Sequence, residues 1–317
     1  MEIKKVSILV PVYGVEKYIE RCARSLFEQT LDDIEYIFVN DCTKDRSIDI
    51  LNEVINDYPA RKQQVRIVHH EENKGSALAR LSGWQTANGN YIISCDSDDW
   101  VDSGLYEKMY NVAVNKNADI VVCDMLLFEE NGTNRLLGLR DENASKEGLI
   151  KDMMYMRTVW SLCNKMIRRE LLGQLDEIPQ KYMGDDMAVV LPLYDIANNV
   201  AYCRNDCYNY DVKMSTTSHQ TTLDGMIRKY NDVVENLAIV RRHYSKYKQY
   251  AYRRPLYFLL FNFKMWLLPY RNNKEAVQLF HKNLITVLFY VITNREIKKY
   301  MRKDAFKLLM KRLLGLI

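Results

Sequence analysis

Short unbroken apolar runs alternate with segments of helical period through the first hundred residues. The run Val6-Ser7-Ile8-Leu9-Val10, stopped by Pro11, reads as a buried strand, as do Ile34–Val39, Val65–His69 and Tyr91–Cys95. Between them, Val15–Glu28 places apolar side chains at Tyr18, Ile19, Cys22, Leu26 and Phe27, and Ser47–Tyr58 repeats that spacing, which predicts helices. Ser76–Ala87 predicts a third helix. Strands alternating with helices through short polar loops predict βαβ units, an α/β fold with a mostly parallel central sheet. Ligands of such sheets sit beyond the carboxyl ends of the strands. The polar clusters Pro11–Gly14, Asn40–Asp45, Glu71–Gly75 and Asp96–Asp99 are therefore the candidate functional loops.

Further on, Ile120–Cys123 reads as a strand, followed by an apolar stretch, Met125–Phe128, and a polar loop or insertion from Glu129 to Glu147. Met187–Ala197 is helical, and from Leu223 the pattern is helical to the end. We therefore expect a catalytic or binding domain over 1–222 and a helical region over 223–317.

The chain has 317 residues, 48% apolar and 27% charged, an ordinary globular composition. Its net charge of +4 conceals an asymmetry: residues 1–150 hold 17 Lys/Arg and 26 Asp/Glu, whereas 226–317 hold 20 and 5. Different partners are expected for the two parts. Seven cysteines without a C-x-x-C pair argue against a disulfide framework or a zinc set and for a reducing, cytoplasmic compartment. No stretch reaches the roughly 18 apolar residues of a membrane span, and Met1–Lys5 leads straight into a strand, so no secretory signal is read.

The chemistry centres on Asp96-Ser97-Asp98-Asp99, directly after a buried strand. Side chains alternate along an extended segment, so Asp96 and Asp98 are expected on one side. Two such carboxylates form a hard oxygen site for Mn²⁺ or Mg²⁺, suited to a nucleotide diphosphate whose growing charge the ion offsets.

Several ordered motifs together resemble the family-2 inverting glycosyltransferases of the GT-A fold. They are Val6–Tyr13, Glu16 to Leu26 followed by Gln29-Thr30, Val39–Asp45, Asn73–Arg80 and Asp96–Asp99. The match is dense over about 5–125 and thinner to about 220. The resemblance implies a GT-A domain with a helical C-terminal extension and transfer from a nucleotide sugar, commonly UDP-linked. It implies that Pro11, Val12 and Tyr13 line the base pocket and that Asp41 accepts a hydrogen bond from the base. An Asp here also suits the cap of the following helix. Cys42 departs from the small residue usual in the family. Lys74 and Arg80 would face the base or diphosphate, Asp96 the ribose and metal, and Asp98 would be the principal metal ligand.

Inversion requires a base for the acceptor hydroxyl. Gly184-Asp185-Asp186, ahead of a helix, resembles the family's acidic pair, which makes Asp186 the base and Asp185 its alternate; either also suits a helix cap. Trp160 and Lys165 fall in the segment expected under the acceptor. Ser215–Thr217 and His219 fall where a loop would close on the diphosphate, with His219 a weaker metal candidate.

The tail mixes Ile297, Tyr300, Phe306 and Leu309 with Lys298, Arg302, Lys303 and Lys307. A basic amphipathic segment of this kind fits an anionic membrane surface, placing the enzyme peripherally on the inner face of the cell membrane beside a glycan or lipid-linked glycan acceptor. Packing on the acidic domain and an oligomer interface remain alternatives. No nucleic-acid motif accompanies it. Surface polysaccharide or lipopolysaccharide assembly is the family-level expectation. A sugar nucleotidyltransferase lacks its Gly-rich loop here, an oxidoreductase its G-x-G-x-x-G, and an inactive scaffold would need neither Asp98 nor Asp186.

Overall fold

The computed structural model describes residues 3–129, 132–138, 144–212, 222–247 and 251–313. The chain forms two compact units. The first comprises Met1–Asn143, Ser161–Asp176 and Leu193–His219, and the second Ala144–Trp160, Glu177–Pro192 and Gln220–Ile317. Segments 144–160 and 177–192, which the sequence reading grouped with the first 222 residues, thus cluster with the C-terminal helices. Nothing in their local composition signals this.

The first unit carries strands β1 (Val6–Val12), β2 (Ile34–Asn40), β3 (Val65–His69), β4 (Tyr91–Ser94), β5 (Trp100–Val101), β6 (Ile120–Phe128), β7 (Asn134–Leu137), β8 (Lys165–Arg168) and β9 (Val200–Asp211). Its helices are α1 (Ile19–Phe27), α2 (Ser47–Asp57), α3 (Ser76–Thr86) and α4 (Leu105–Asn115). The strands order as β3-β2-β1-β4-β8-β6-β9-β5, with β7 added to β6. Pairing is parallel from β3 through β4, antiparallel through β8, and parallel again between β6 and β9. Ile8, Leu9, Val10, Ile37 and Phe38 are fully buried, which explains the unbroken apolar runs: both faces of these strands are covered. Burying each such side chain stabilises the fold by roughly 1.5–3 kcal/mol.

Two expectations change, and two further strands appear that the sequence reading did not predict. Ile120–Cys123 and Met125–Phe128 are one strand, kinked where the register on β9 jumps between Cys123 and Asp124. The segment read as a loop from Glu129 contains β7, an edge strand too polar for its apolar face to register. Strands β8 and β9 carry too many polar residues to stand out from their surroundings by hydrophobicity.

Helices α5 (Lys146–Met154), α6 (Arg169–Leu172), α7 (Asp185–Ile196), α8 (Leu223–Tyr247), α9 (Arg253–Met265), α10 (Lys274–His281), α11 (Leu284–Ile292) and α12 (Lys299–Leu313) complete the described elements. Of these, α6 lies in the first unit, α7 begins in the second and ends in the first, and the rest belong to the second. The second unit packs Val233, Val240, Leu259, Val287 and Leu288 into a core of its own. No helix among the described residues is long and apolar enough to cross a membrane.

Candidate active site

Loops at the carboxyl ends of β1, β2 and β3 are joined by hydrogen bonds that the sequence motifs supply. After β1 the chain turns out, leaving Tyr13 about half exposed at 53% while Val12 stays buried. Gly14 N–H donates to Thr43 Oγ1 at 2.9 Å, Val15 N–H to Ser47 Oγ at 3.0 Å, and Glu16 N–H to Asp45 Oδ2 at 2.9 Å. The loop after β2 therefore holds the first turn in place and presents its aromatic ring and backbone outward.

Asp41 is 2% exposed and acts one helix later than its cap role predicted. Its Oδ1 accepts from Lys74 N–H at 2.8 Å and its Oδ2 from Gly75 N–H at 2.7 Å. Gly75, with φ +84°, is the residue that opens α3. The start of α2 is served instead by Asp45, whose Oδ1 accepts from Ser47 N–H at 3.1 Å. His70 Nδ1 lies 2.7 Å from Asp41 Oδ1, and its Nε2 lies 2.8 Å from Ser82 Oγ. Asp41, His70 and Ser82 thus lock the Lys74 loop onto the sheet, while the Lys74 side chain itself is exposed. Asp41→Ala leaves two backbone donors and an imidazole without an acceptor. We expect a loss of about 3 kcal/mol of stability, read as a lowered denaturation midpoint of ligand-free protein. An unchanged midpoint refutes the clamp.

Arg80 projects from α3 and is buried at 8% exposure; its guanidinium donates to Asp96 Oδ1 at 2.7 Å. The strand alternation that the sequence reading expected to bring Asp96 and Asp98 together is not what places them. The segment leaves β4 and turns at Ser97-Asp98, with Asp99 N–H donating to Asp96 O at 3.1 Å. The turn still crowds the carboxylates. Burial and then the neighbouring Asp96 push the Asp98 carboxyl up to about 6. Burial, Asp96 and Asp98 likewise push Asp99 well up.

The end of β9 closes the cluster, and sequence reading missed this. Asp96 N–H donates to the Tyr208 hydroxyl at 3.0 Å, which donates to Asp99 Oδ2 at 2.7 Å. Asp211 N–H donates to Asp99 Oδ1 at 3.0 Å. Arg21 of α1 reaches the Asp98 carbonyl at 2.7 Å and Asp211 Oδ2 at 3.3 Å, with its guanidinium 3.9 Å above the Trp100 ring. Asp211 is 7% exposed, and its Oδ1 is buried without a hydrogen-bond partner among the described residues. A buried orphan oxygen beside a raised carboxyl marks a place short of positive charge.

That shortage bears on a divalent ion. The donors Asp98, Asp96 and Asp211 are hard oxygens, as Mn²⁺ or Mg²⁺ requires. No complete group of three metal-holding side chains is formed among the described residues. Residues 215–217 and His219 lie outside the described residues. The donor type and charge fit such an ion, and the finished ligand shell is not displayed.

In the second unit, Gly184 (φ +83°) precedes α7, and a Cβ there would stand 2.9 Å from Val233 Cγ2. Asn236 donates to the carbonyls of Lys181 and Met183 at 2.8 and 3.0 Å, fixing the approach to the helix. Asp185 is 7% exposed and Asp186 is less buried. Trp160 is half-buried in the same unit. Lys165 is buried in the first unit, and its ammonium donates to the Ser161 carbonyl and Asn164 Oδ1, both at 2.8 Å, supporting its own loop.

The sequence profile of Glycosyl transferase family 2 matches residues 7–175. EpsH of Bacillus subtilis (strain 168) is 30% identical over 68% of this chain and 63% of its own length, so the chain spans less than two thirds of that relative. TuaG of the same organism, a protein named for teichuronic acid biosynthesis, is 29% identical over 64% of this chain and 76% of its own. Among solved structures, S. aureus TarS 1–349 in complex with UDP aligns with TM-score 0.58 at 18% identity, covering 98% of this chain and 92% of that one. The mannosyltransferase PcManGT from Pyrobaculum calidifontis, in complex with GDP-Man and Mn²⁺, aligns with TM-score 0.55 at 14% identity, covering 99% and 88%. The α/β sheet with its converging loops is therefore the GT-A fold, and with the profile covering more than half of its length, the chain belongs to Glycosyl transferase family 2.

Proposed function

We propose that the protein transfers a sugar from a nucleotide sugar, UDP-linked, to a hydroxyl of a glycan or lipid-linked glycan, with inversion and with Mn²⁺ or Mg²⁺. The observation that carries this reading is the carboxylate cluster Asp96, Asp98, Asp99 and Asp211 at the ends of β4 and β9, which is short of positive charge. Tyr13 offers a ring for the base, with Pro11 and Val12 supplying backbone. Arg80 orients Asp96 toward the ribose, and Lys74 lies free to approach the diphosphate. Asp98, Asp96 and Asp211 hold the ion, with His219 a further candidate. When bound, the ion neutralises charge developing on the leaving diphosphate. The acceptor oxygen forms its bond to the anomeric carbon as the bond from that carbon to the phosphate oxygen breaks, and the hydroxyl proton passes to the Asp186 carboxylate. Asp185, more deeply buried, is the positioning neighbour. Trp160 and Lys165 are assigned to the acceptor side, with the Lys165 ammonium bracing its own loop through Ser161 and Asn164.

The catalytic machinery is assigned to residues 1–222. Residues 223–317 are assigned to contact with an anionic membrane surface at the inner face of the cell membrane, where the exposed Tyr300, Phe306 and Met310 accompany the tail's cations. The relatives' names support a role in bacterial surface polysaccharide assembly.

Calorimetric titration of the purified chain with UDP tests the reading. Binding is expected with Mn²⁺ and not after chelation, and GDP and dTDP should bind more weakly. If no nucleoside diphosphate binds with either metal, the transferase reading fails and an inactive scaffold takes its place.

A further inference from the structure

A cavity of about 550 Å³ opens in the second unit between α8, α9 and the α10–α11 junction. Its volume lies within the range of small-molecule sites. Val234 and Leu237 of α8 and Leu256 and Leu260 of α9 supply aliphatic lining, and tyrosine side chains add to it. Arg241, Arg253, Lys264 and Lys282 also line it, and no Asp or Glu is among the described residues that do.

Lys264 is the unusual member. It is 1% exposed, and its ammonium donates to the Tyr230 hydroxyl at 3.1 Å and to the carbonyls of Leu279 and Phe280 at 2.8 and 3.1 Å. None of these partners carries a charge. Burial and then Lys282 push its ammonium down to about 8. Closing the last turn of α10 accounts for Lys264 alone, since carbonyls at a helix end favour a cation. It does not account for three further cations around one aliphatic cavity without an acid. Lys282 sits there because the chain turns sharply at Asn283, whose φ of +59° is a conformation Asn tolerates.

We propose that this cavity binds one molecule of an anionic amphiphile, a phosphomonoester carrying a hydrocarbon chain, with the phosphate bonded by Lys282 and attracted by the buried charge of Lys264, and the chain against Leu237, Leu256 and Leu260. A doubly charged group suits two neighbouring ammoniums better than a carboxylate does. An apolar body is required by the wall, which a free inorganic anion would leave facing water. The inference does not rest on the sugar-transfer reading, and its test uses no donor nucleotide.

Decyl phosphate, kept below its micelle concentration, is titrated into the full chain by calorimetry, beside inorganic phosphate and neutral decyl maltoside. Saturable one-to-one binding of decyl phosphate is expected, with neither control binding at comparable concentration. Lys282→Glu, at an exposed position, should weaken it at least tenfold. Ala238→Trp, which fills the cavity without altering charge, should abolish it, with the melting temperature checking the fold of each variant. Equal binding of decyl maltoside reduces the cavity to an apolar trap. Equal binding of inorganic phosphate reduces it to an adventitious ion only. Binding that survives Lys282→Glu places the amphiphile elsewhere and overturns the proposal.

Discussion

Asp98→Ala should remove Mn²⁺-dependent UDP binding and lower transfer by ~10²-fold or more, the several kcal/mol that a metal at a developing charge supplies. The reason is local crowding. Asp98 lies within a turn among Asp96, Asp99 and Asp211, and no cation among the described residues neutralises all four; Arg21 reaches Asp211 and Arg80 reaches Asp96. The sign of the pH dependence follows. Burial and Asp96 push the Asp98 carboxyl up to about 6, so below that pH a proton occupies the place of the metal. UDP affinity at fixed Mn²⁺ should therefore hold above about pH 6 and fall as the pH drops through it. For metal-free protein the direction is opposite. An unfolded Asp titrates near 3.9, so between that value and about 6 the native state holds the extra proton. Stability then declines as pH rises through the window. Asp98→Asn should accordingly raise the melting temperature of metal-free protein at neutral pH while nucleotide binding is lost. A variant that binds UDP as before, or that melts lower without metal, contradicts this account.

Asp186→Asn is expected to lower kcat by ~10²–10⁴-fold, the range for losing a positioned general base, with UDP affinity unchanged. Asp186 stands in the first turn of α7. It is less buried than Asp185, which makes it the more accessible of the pair. Its approach segment is fixed by Asn236 and by the close contact of Gly184 with Val233, so the amide variant should fold normally. The split between kcat and affinity separates a base from a residue that merely caps the helix, whose loss would lower stability and leave kcat near its starting value. Should Asp185→Asn carry the loss instead, the two roles exchange.

Much of this was readable without coordinates because it is local. Three of the four parallel strands, β1, β2 and β4, are short, mainly apolar runs of four to seven residues covered on both faces, and β3 at the sheet edge is a partly covered run of five; their pattern needs no knowledge of distant chain. The loops after β1, β2 and β3 combine turn residues, Gly14 and Gly75 among them, with the polar side chains that pair across them. The Asp96–Asp99 cluster stood out by composition and by its place after a strand, even though alternation was the wrong reason for its geometry: a turn brings the carboxylates together. Other features depend on closure over long separations and leave no local trace. Tyr208 and Asp211 reach Asp99 from more than a hundred residues away. Asp41 serves the start of α3, and not of α2, because the sheet lays β2 and β3 side by side and brings the Lys74 loop to it. Segments 144–160 and 177–192 cluster with helices that follow them by dozens of residues. Lys264 looks like any lysine in a basic tail until the packing of α8, α9 and α10 buries it. Periodicity reports which face of an element is covered, and only the tertiary structure decides by what. The half-buried Asp98 and the buried Asp211 and Lys264 acquire their chemistry from that choice.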